Sequence, residues 1–485
     1  MRLDCRLALS LLFLVGLAGC MVGPNYVRPA IDVPPAWRID ESLARDVSGT
    51  AWWEQFDDPA LNDLVAEALA QNKDVRLAAA RIEEYRGRLA VTQSALFPQV
   101  GANVDAARQR ASHQSSFVTY PSSTSTLFNS YQALVSASWE IDLWGQLRRA
   151  TEASRDDLLA TEDAKRAVVL SLVASVASNY IALRSFDRQL EIARQTAKSR
   201  GDSLRVFELR FKGGIVSALE LAQNQSLYQD ALASIPPIQE QIAATENLLS
   251  VLLGRNPGPI VRGRDIDALQ APAVPAGLPS ALLDQRPDIR QAEEQLAAAN
   301  ARIGVAEAAF FPTISLTGAL GSVSTELSSL FTGPTGVWAI GAGLVAPIFT
   351  GGALTGQLQQ AEAQQQEALF NYQRSILNAF ADVDNALVDH STSLERLTAL
   401  RAEVDANSNY VRLARLRYEN GYTSYIEVLD ADQRLFSSQL LLATQQAQIL
   451  NALVNLYQAM GGGWVEVAES KTTPSSDTDA PSSRQ

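Results

Sequence analysis

A chain of 485 residues, 47% hydrophobic and carrying a formal net charge of −13, has the length of about three domains and enough apolar residues to bury large surfaces. Its acidity, unrelieved by any basic stripe, argues against a nucleic-acid partner, and two His and three Met leave little for metal chemistry. The only cysteines, Cys5 and Cys20, lie in the first twenty residues, so no disulfide framework holds the remainder together.

Arg2 and Arg6 flank a short charged start, and Leu7 to Leu17 is an apolar run of eleven, too short to span a bilayer and suited to a signal peptide over residues 1–19. It ends in Leu17-Ala18-Gly19-Cys20, which resembles the bacterial lipobox. The residue matching Cys20 becomes the lipidated first residue of the mature protein, because a thiol is the nucleophile that a thioether to diacylglycerol requires. Several acyl chains, each adding about 0.8 kcal/mol per buried methylene, anchor firmly. Met21 follows, where an aspartate would be associated with inner-membrane retention. Residues 20–56 read as a lipidated extended strap, since Gly23-Pro24-Asn25-Tyr26-Val27-Arg28-Pro29 and Pro34-Pro35-Ala36-Trp37 hold too much proline for helix or central strand.

The segment from Trp52-Trp53 to Pro59 leads into a helix predicted from about Ala60 to Leu96, closed by Phe97-Pro98. The period then switches to two. Val100, Ala102, Val104 and Ala106 alternate with Gly101, Asn103, Asp105 and Ala107, predicting a strand over about 99–108. A second run over about 131–143 carries Tyr131, Ala133, Val135, Ala137, Trp139, Ile141 and Leu143 on one face, with only Leu134 out of pattern. Each run has about the ten residues of a tilted transmembrane strand. The Ser/Thr-rich residues between them read as an external loop.

A long helix follows over 146–212, with a seam through Val169, Leu172, Val176, Tyr180, Leu183, Leu190 and Ala193. Gly213-Gly214 turns it, and a return helix over 217–253 is expected to kink or split at Pro236-Pro237. The first unit thus spans 57–253, and a Pro/Gly-rich stretch over 254–281 links it to what comes next.

What comes next is a repeat. Leu69–Pro98 and Leu283–Pro312 align without gaps at an offset of 214, with about 10 identities in 30, Phe97-Pro98 matching Phe311-Pro312. The second repeat, 282–464, carries strands over about 313–321 and 337–347 and long helices over 353–420 and 424–460. The first of these helices has apolar positions at alternating steps of four and three: Leu369, Tyr372, Ile376, Phe380, Val383, Leu387, His390, Leu394, Leu397, Leu400 and Val404. That is a coiled-coil seam, longer than one hairpin covers alone. At an offset of 207, Arg210-Phe211-Lys212-Gly213-Gly214 matches Arg417-Tyr418-Glu419-Asn420-Gly421, Ser217 matches Ser424 and Glu220 matches Glu427. The tail over 465–485, rich in Ser, Thr, Asp and Pro, is expected to be disordered.

Four lipid-facing strands cannot close a barrel, because the smallest membrane barrels need about eight, and open edges in a bilayer leave backbone groups unsatisfied. Copies must therefore assemble. The fold class expected is mainly α with a membrane β-barrel, built from two tandem repeats of helix, two strands, long helix and helix. A trimer then gives a 12-stranded β-barrel on a 12-helix α-barrel.

The lipobox at Cys20, the strap beginning Asn25-Tyr26-Val27-Arg28-Pro29, the Trp52-Trp53 to Pro59 segment, Arg286-Pro287-Asp288-Ile289 and the tandem halves together resemble the TolC-like outer-membrane efflux proteins, of the NodT-type lipoprotein branch. The resemblance covers Cys20 to about Trp464. It implies a homotrimeric outer-membrane channel with a periplasmic helical barrel, acting as exit duct for a periplasmic adaptor protein and an inner-membrane pump, usually of the resistance-nodulation-division class. The sequence offers no Gly-rich phosphate cradle and no nucleophile constellation, so no enzyme activity and no cofactor are expected.

Resemblance places adaptor contacts on the helix turns, at Gly214, Ile215, Val216 and Ser217 and at Gly421, Tyr422, Thr423 and Ser424. It places a periplasmic gate at Ile426 and Asp430, with Asp432 and Arg434 beside them. Residues i and i+4 share a helix face, so Ile426 and Asp430 can point together into a lumen, where three aspartates would favour cations. The family arginine three residues after the aspartate is replaced by Gln433, with Arg434 one place further. Neither His390 nor His113 has a companion at ligand spacing, so no metal site is expected. The alternatives are the outer component of a type I protein-secretion system and a non-conducting periplasmic coiled-coil scaffold lipoprotein.

Overall fold

A computed structural model describes residues 21–38, 51–110, 127–275, 279–461 and 465. The expected signal peptide, Cys20 with its expected lipid attachment, most of the expected external loop with His113, and all of the expected tail except Val465 lie outside these residues. The described chain forms α1 (Pro59–Gln71), α2 (Lys73–Ser94), β1 (Gln99–Arg110), β2 (Leu127–Ile141), α3 (Gln146–Lys212), α4 (Ala218–Ala233), α5 (Ile235–Leu252), α6 (Pro279–Gln285), α7 (Pro287–Ala308), β3 (Thr313–Ser324), β4 (Gly336–Val345), α8 (Ala353–Glu419) and α9 (Tyr425–Ala459). Both 67-residue helices run over the stretches that lack interior proline.

The chain divides into two compact units. One contains residues 1–30, 81–161 and 292–372, and its centre is an antiparallel sheet in the order β1-β2-β3-β4, with β1 and β4 as open edges. The register pairs Val100 with Ala137, Ala137 with Gly318 and Gly318 with Ile340, so each row of partners shares a face. One face carries Val100, Val104, Val135, Trp139, Leu316, Leu320, Trp338, Ile340 and Leu344. The other carries Asn103, Asp105, Gln132, Ser136, Ser138, Glu140, Ser315 and Thr317. Leu134, the residue out of pattern, lies on this polar face opposite Asn103 and Gly321. Large side chains of the apolar face stand exposed, as they must if lipid covers them.

The described start of the strap, residues 21–30, lies within the same unit. Val22 N–H donates to Trp144 O at 3.0 Å, and the fully buried Arg149 guanidinium donates to Val22 O, Gly23 O and Asn25 Oδ1 at 3.2, 3.1 and 2.8 Å. Gly304 lets it approach, since a Cβ there would stand 2.9 Å from Val22 O. Further along, Arg28 pairs with Glu293 at 2.8 Å.

The second unit, residues 31–80, 162–291 and 373–485, holds the main core. Trp52, Phe56, Leu61, Val176, Tyr180, Leu183, Leu249, Val454 and Tyr457 pack in it, with Trp52 stacked on Tyr457 at 5.2 Å. Asp58 caps α1 by accepting from Ala60 N at 2.9 Å, and also accepts from Tyr180 Oη at 2.7 Å and Arg264 N at 3.0 Å. One stretch of α3 is long and apolar enough to cross a membrane, but more than half of it is buried here, which marks a core helix.

Two expectations change in detail, and a third, that the return helix kinks or splits, takes the second of its forms. The first helix breaks at Asn72, whose side chain accepts from Asp74 N and Val75 N at 2.8 and 3.0 Å and starts α2 afresh. The return helix over 217–253 is split outright into α4 and α5 at Ser234, just ahead of Pro236-Pro237. On the α8 seam Leu394 is half exposed and Ser393 takes the buried place, because the step after His390 is three and then four; Gln445 fills the seam there by donating to Ser393 O at 3.1 Å.

Candidate functional site

The residues singled out by the sequence cluster at the ends of two hairpins, α3–α4 and α8–α9, within the second unit. The two turns have the same construction. Ile215 N donates to Arg210 O and Tyr422 N to Arg417 O, each at 2.9 Å, while Gly214 N and Gly421 N reach Phe211 O and Tyr418 O, also at 2.9 Å. These paired bonds satisfy the last carbonyls of each long helix and require a left-handed residue. Gly214 at φ 69° and Gly421 at φ 78° supply it. Gly213 has no such role.

Beyond the turns the two halves diverge. Ser217 accepts from Glu220 N at 3.2 Å while Ser217 N donates to Glu220 Oε2 at 2.8 Å, a complete capping box. The backbone bond from Ser217 holds the Glu220 carboxyl below the usual carboxylate range. Ser424 makes no side-chain cap; Glu427 instead pairs with Arg417 at 3.5 Å. Tyr418 Oη donates to Glu220 Oε1 at 3.3 Å, and Tyr425 Oη to Asn224 Oδ1 at 2.8 Å, so the hairpins are tied to each other by two phenols. Beneath these ties Phe207, Val411, Ala414, Val428 and Leu429 pack together, with Val216 against them. Ile215 and Tyr422 point outward and are more than 70% exposed, while Ser217 and Ser424 are exposed and Thr423 is half-buried.

Of the residues expected at a gate, Ile426 and Asp430 are both exposed, one helical turn apart on α9. Asp430 accepts from Arg434 Nε at 2.8 Å and from Tyr410 Oη at 3.3 Å. The bond from Arg434 holds its carboxyl below the ordinary value of 3.8. Asp432 takes part in a different set. It pairs with Arg415 at 2.8 Å and with the nearly fully buried Arg200 at 3.6 Å. Arg200 also donates to Leu227 O at 3.0 Å and to Gln433 Oε1 at 2.9 Å, and its guanidinium lies 5.1 Å from the Phe436 ring. Gln433, the residue in place of the family arginine, therefore serves a buried cation from α3. A cleft of about 360 Å³ runs between these groups, lined by Arg200, Asn224, Arg415, Tyr418, Tyr425 and Asp432.

Arg200, Tyr410, Arg415 and Tyr418 were not anticipated as part of this site. Arg200 did leave a signal: Ala193, Ala197, Arg200, Leu204 and Phe207 follow one another at steps of four and three, so an arginine sits where an apolar residue belongs.

Comparison with known proteins agrees with this architecture. The family model "Outer membrane efflux protein" matches residues 64–255 and 278–462, one stretch per repeat. The toluene efflux pump outer membrane protein TtgF of Pseudomonas putida is 36% identical over 476 residues, covering 96% of this chain and 98% of that protein. The cation efflux system protein CusC of Escherichia coli is 35% identical over 457 residues, covering 93% and 97%. Among solved structures, the open state of the MtrE outer membrane channel of Neisseria gonorrhoeae superposes with a TM-score of 0.81 at 31% identity, covering 92% of this chain and 99% of that one. The mainly α fold with strands for a trimeric membrane barrel is the fold of such channels. With both repeats matched and near full-length relatives at this identity, the chain belongs to the outer membrane efflux protein family, a family of outer-membrane channels rather than of enzymes.

Proposed function

We propose that this outer-membrane channel is the passive exit duct of a tripartite efflux system, and that it performs no catalysis. Three copies contribute four strands each, which joins the open edges of β1 and β4 between neighbours and leaves no backbone group facing lipid unpaired. Cys20 carries the acyl anchor. The turns at Gly214, Ile215, Val216 and Ser217 and at Gly421, Tyr422, Thr423 and Ser424 receive a periplasmic adaptor, which links the duct to an inner-membrane pump of the resistance-nodulation-division class. Exposed apolar Ile215 and Tyr422 support the docking role, since such side chains at a turn gain free energy when a partner covers them.

The observation that carries the gating reading is the contrast among the tip carboxylates. Glu220, Glu427 and Asp432 are partly buried and engaged with residues of neighbouring helices, whereas Asp430, held by Arg434 of its own helix and by Tyr410 of α8, is exposed on one face of α9 with Ile426. Three such aspartates around an axis form a cation-favouring constriction. Arg434 and Tyr410 are the groups that orient Asp430, and Asp432 stands beside it in the Arg200–Arg415 set. Cargo selection belongs to the pump and adaptor, in keeping with relatives named for cargoes as unlike as toluene and cations. Purified trimer in planar bilayers should conduct with cation preference, and Asp430→Ala should reduce that preference or raise the conductance. A silent bilayer, or a preference untouched by the substitution, would refute the gate.

A further inference from the structure

The charges on the four strands are completely segregated. Asp105 and Glu140 are the only acidic residues in β1–β4, and both lie on the polar face with Asn103, Gln132 and Ser138. Arg108 and Arg110 are the only basic ones, and both lie on the apolar face, in the rows of Val100, Val104 and Ala106. Pairing runs without a bulge to the end of β1, with Arg108 opposite Asn129 and Arg110 opposite Leu127, so the parity that faces Val104 to lipid also faces both arginines to lipid.

Their height follows from the chain. β1 emerges from α2 and β2 feeds α3, so the helices attach at one end of the sheet and the arginines sit at the other, next to the β1–β2 loop. With the helices periplasmic, that end is the external rim. From Val100 to Arg108 the strand advances roughly 27 Å, or about 20 Å of membrane depth at the usual tilt, which carries the guanidinium groups past the apolar band to headgroup level. Tyr131 lies just inside them on β2, opposite Ala106, as an interfacial aromatic does. Both arginines are exposed. The loop residues 111–126 contain no Asp or Glu, so their sequence offers no neutralising carboxylate.

We propose that Arg108 and Arg110 form a lipid-phosphate site on the outer rim of the barrel, holding the phosphate groups of phosphorylated glycolipid in the outer leaflet. Two arginines at i and i+2 on one strand face stand about 7 Å apart, and each guanidinium offers a planar fork to phosphate oxygens. A chain of net charge −13 repels an anionic leaflet, and a basic pair confined to its rim offsets that repulsion where the protein meets it.

The full-length trimer in detergent is titrated with bis-phosphorylated lipid A, with its enzymatically dephosphorylated form, and with inorganic phosphate, reading lipid retained by native mass spectrometry. The phosphorylated form should bind more tightly by roughly fivefold per arginine, the preference should weaken with salt, and inorganic phosphate should not compete at millimolar concentration. Arg108→Gln with Arg110→Gln should abolish the preference, and the double Lys variant should restore part of it. Equal binding of the two lipid forms by the unsubstituted protein, which depends on no variant folding, overturns the proposal. So does an unchanged preference in the Gln variant, or displacement of lipid by inorganic phosphate, which would indicate a free-anion site.

Discussion

At the scale of single residues, the titratable group most out of its element is Asp156 on α3. Burial first, and then the charges of Glu294, Glu152 and Asp157 against the single relief of Arg155, push its carboxyl up to about 7. Glu152 and Asp157 are themselves paired, with Arg149 and Arg302, so the protonated form of Asp156 resolves the crowding. A carboxyl whose folded pKa lies above its unfolded value contributes most below the unfolded value, and that contribution is lost as pH rises through the folded one. Stability should therefore decline between pH 3.8 and about 7, by about 1 kcal/mol once solvent screening is counted. Asp156→Asn should flatten that decline in urea unfolding monitored by circular dichroism. Asp430 behaves oppositely, since its depressed pKa keeps it charged at mildly acidic pH, and cation preference in bilayers should be the same at pH 5 as at pH 7. A third residue test concerns the turns. No atom lies within 4 Å of a Cβ built on Gly421, so only its positive φ demands glycine. Gly421→Ala should cost about 1–2 kcal/mol of local stability, read as faster hydrogen exchange at Tyr418–Tyr422, without any steric rearrangement.

At the scale of elements, the repeat separates what was legible from what was not. The bounds of α3 could be read to the residue because Gly145 and Gly213-Gly214 bracket it and no proline interrupts it. The break between α1 and α2 was invisible because Asn72 is a residue that helices tolerate, whereas the equivalent break between α6 and α7 falls at Arg286-Pro287, where proline announces it. The offset of 214 joins the two positions. β1 runs two residues beyond its legible alternation because Arg108 and Arg110 hide an apolar face behind charge. At the tip, Ile426 and Asp430 were singled out by the resemblance, with their spacing adding only that they share a helix face, and the Arg200–Asp432–Gln433 set was not legible, since it joins residues more than 230 positions apart. The strap is a testable element as well. Arg149 is satisfied mostly by strap carbonyls, so Arg149→Met should release residues 21–28 to limited proteolysis while β-sheet content by circular dichroism stays unchanged.

At the scale of the whole molecule, the assignment of sheet faces decides which way each chain turns within the trimer. Ile340 stands in the middle of β4 on the apolar face, and Ala339, its neighbour, on the other. A lysine at a lipid-facing midplane position costs about 2–4 kcal/mol, and one in an aqueous lumen costs little. Ile340→Lys should therefore abolish heat-resistant trimers in gel electrophoresis, and Ala339→Lys should leave them intact. If both variants form trimers equally well, the faces are misassigned.

The two return helices differ in a way that bears on how the duct opens. The first is jointed at Ser234, where α4 ends and α5 begins, whereas the second, α9, runs unbroken for 35 residues from Tyr425 to its cap at Met460. A jointed rod soaks up a push as bending, and a continuous one delivers it undiminished to its far end. Under the proposed function, an adaptor pulling on the Gly214 turn would lose its stroke at the elbow, while the same pull on the Gly421 turn would swing Ile426 and Asp430 as one stiff lever.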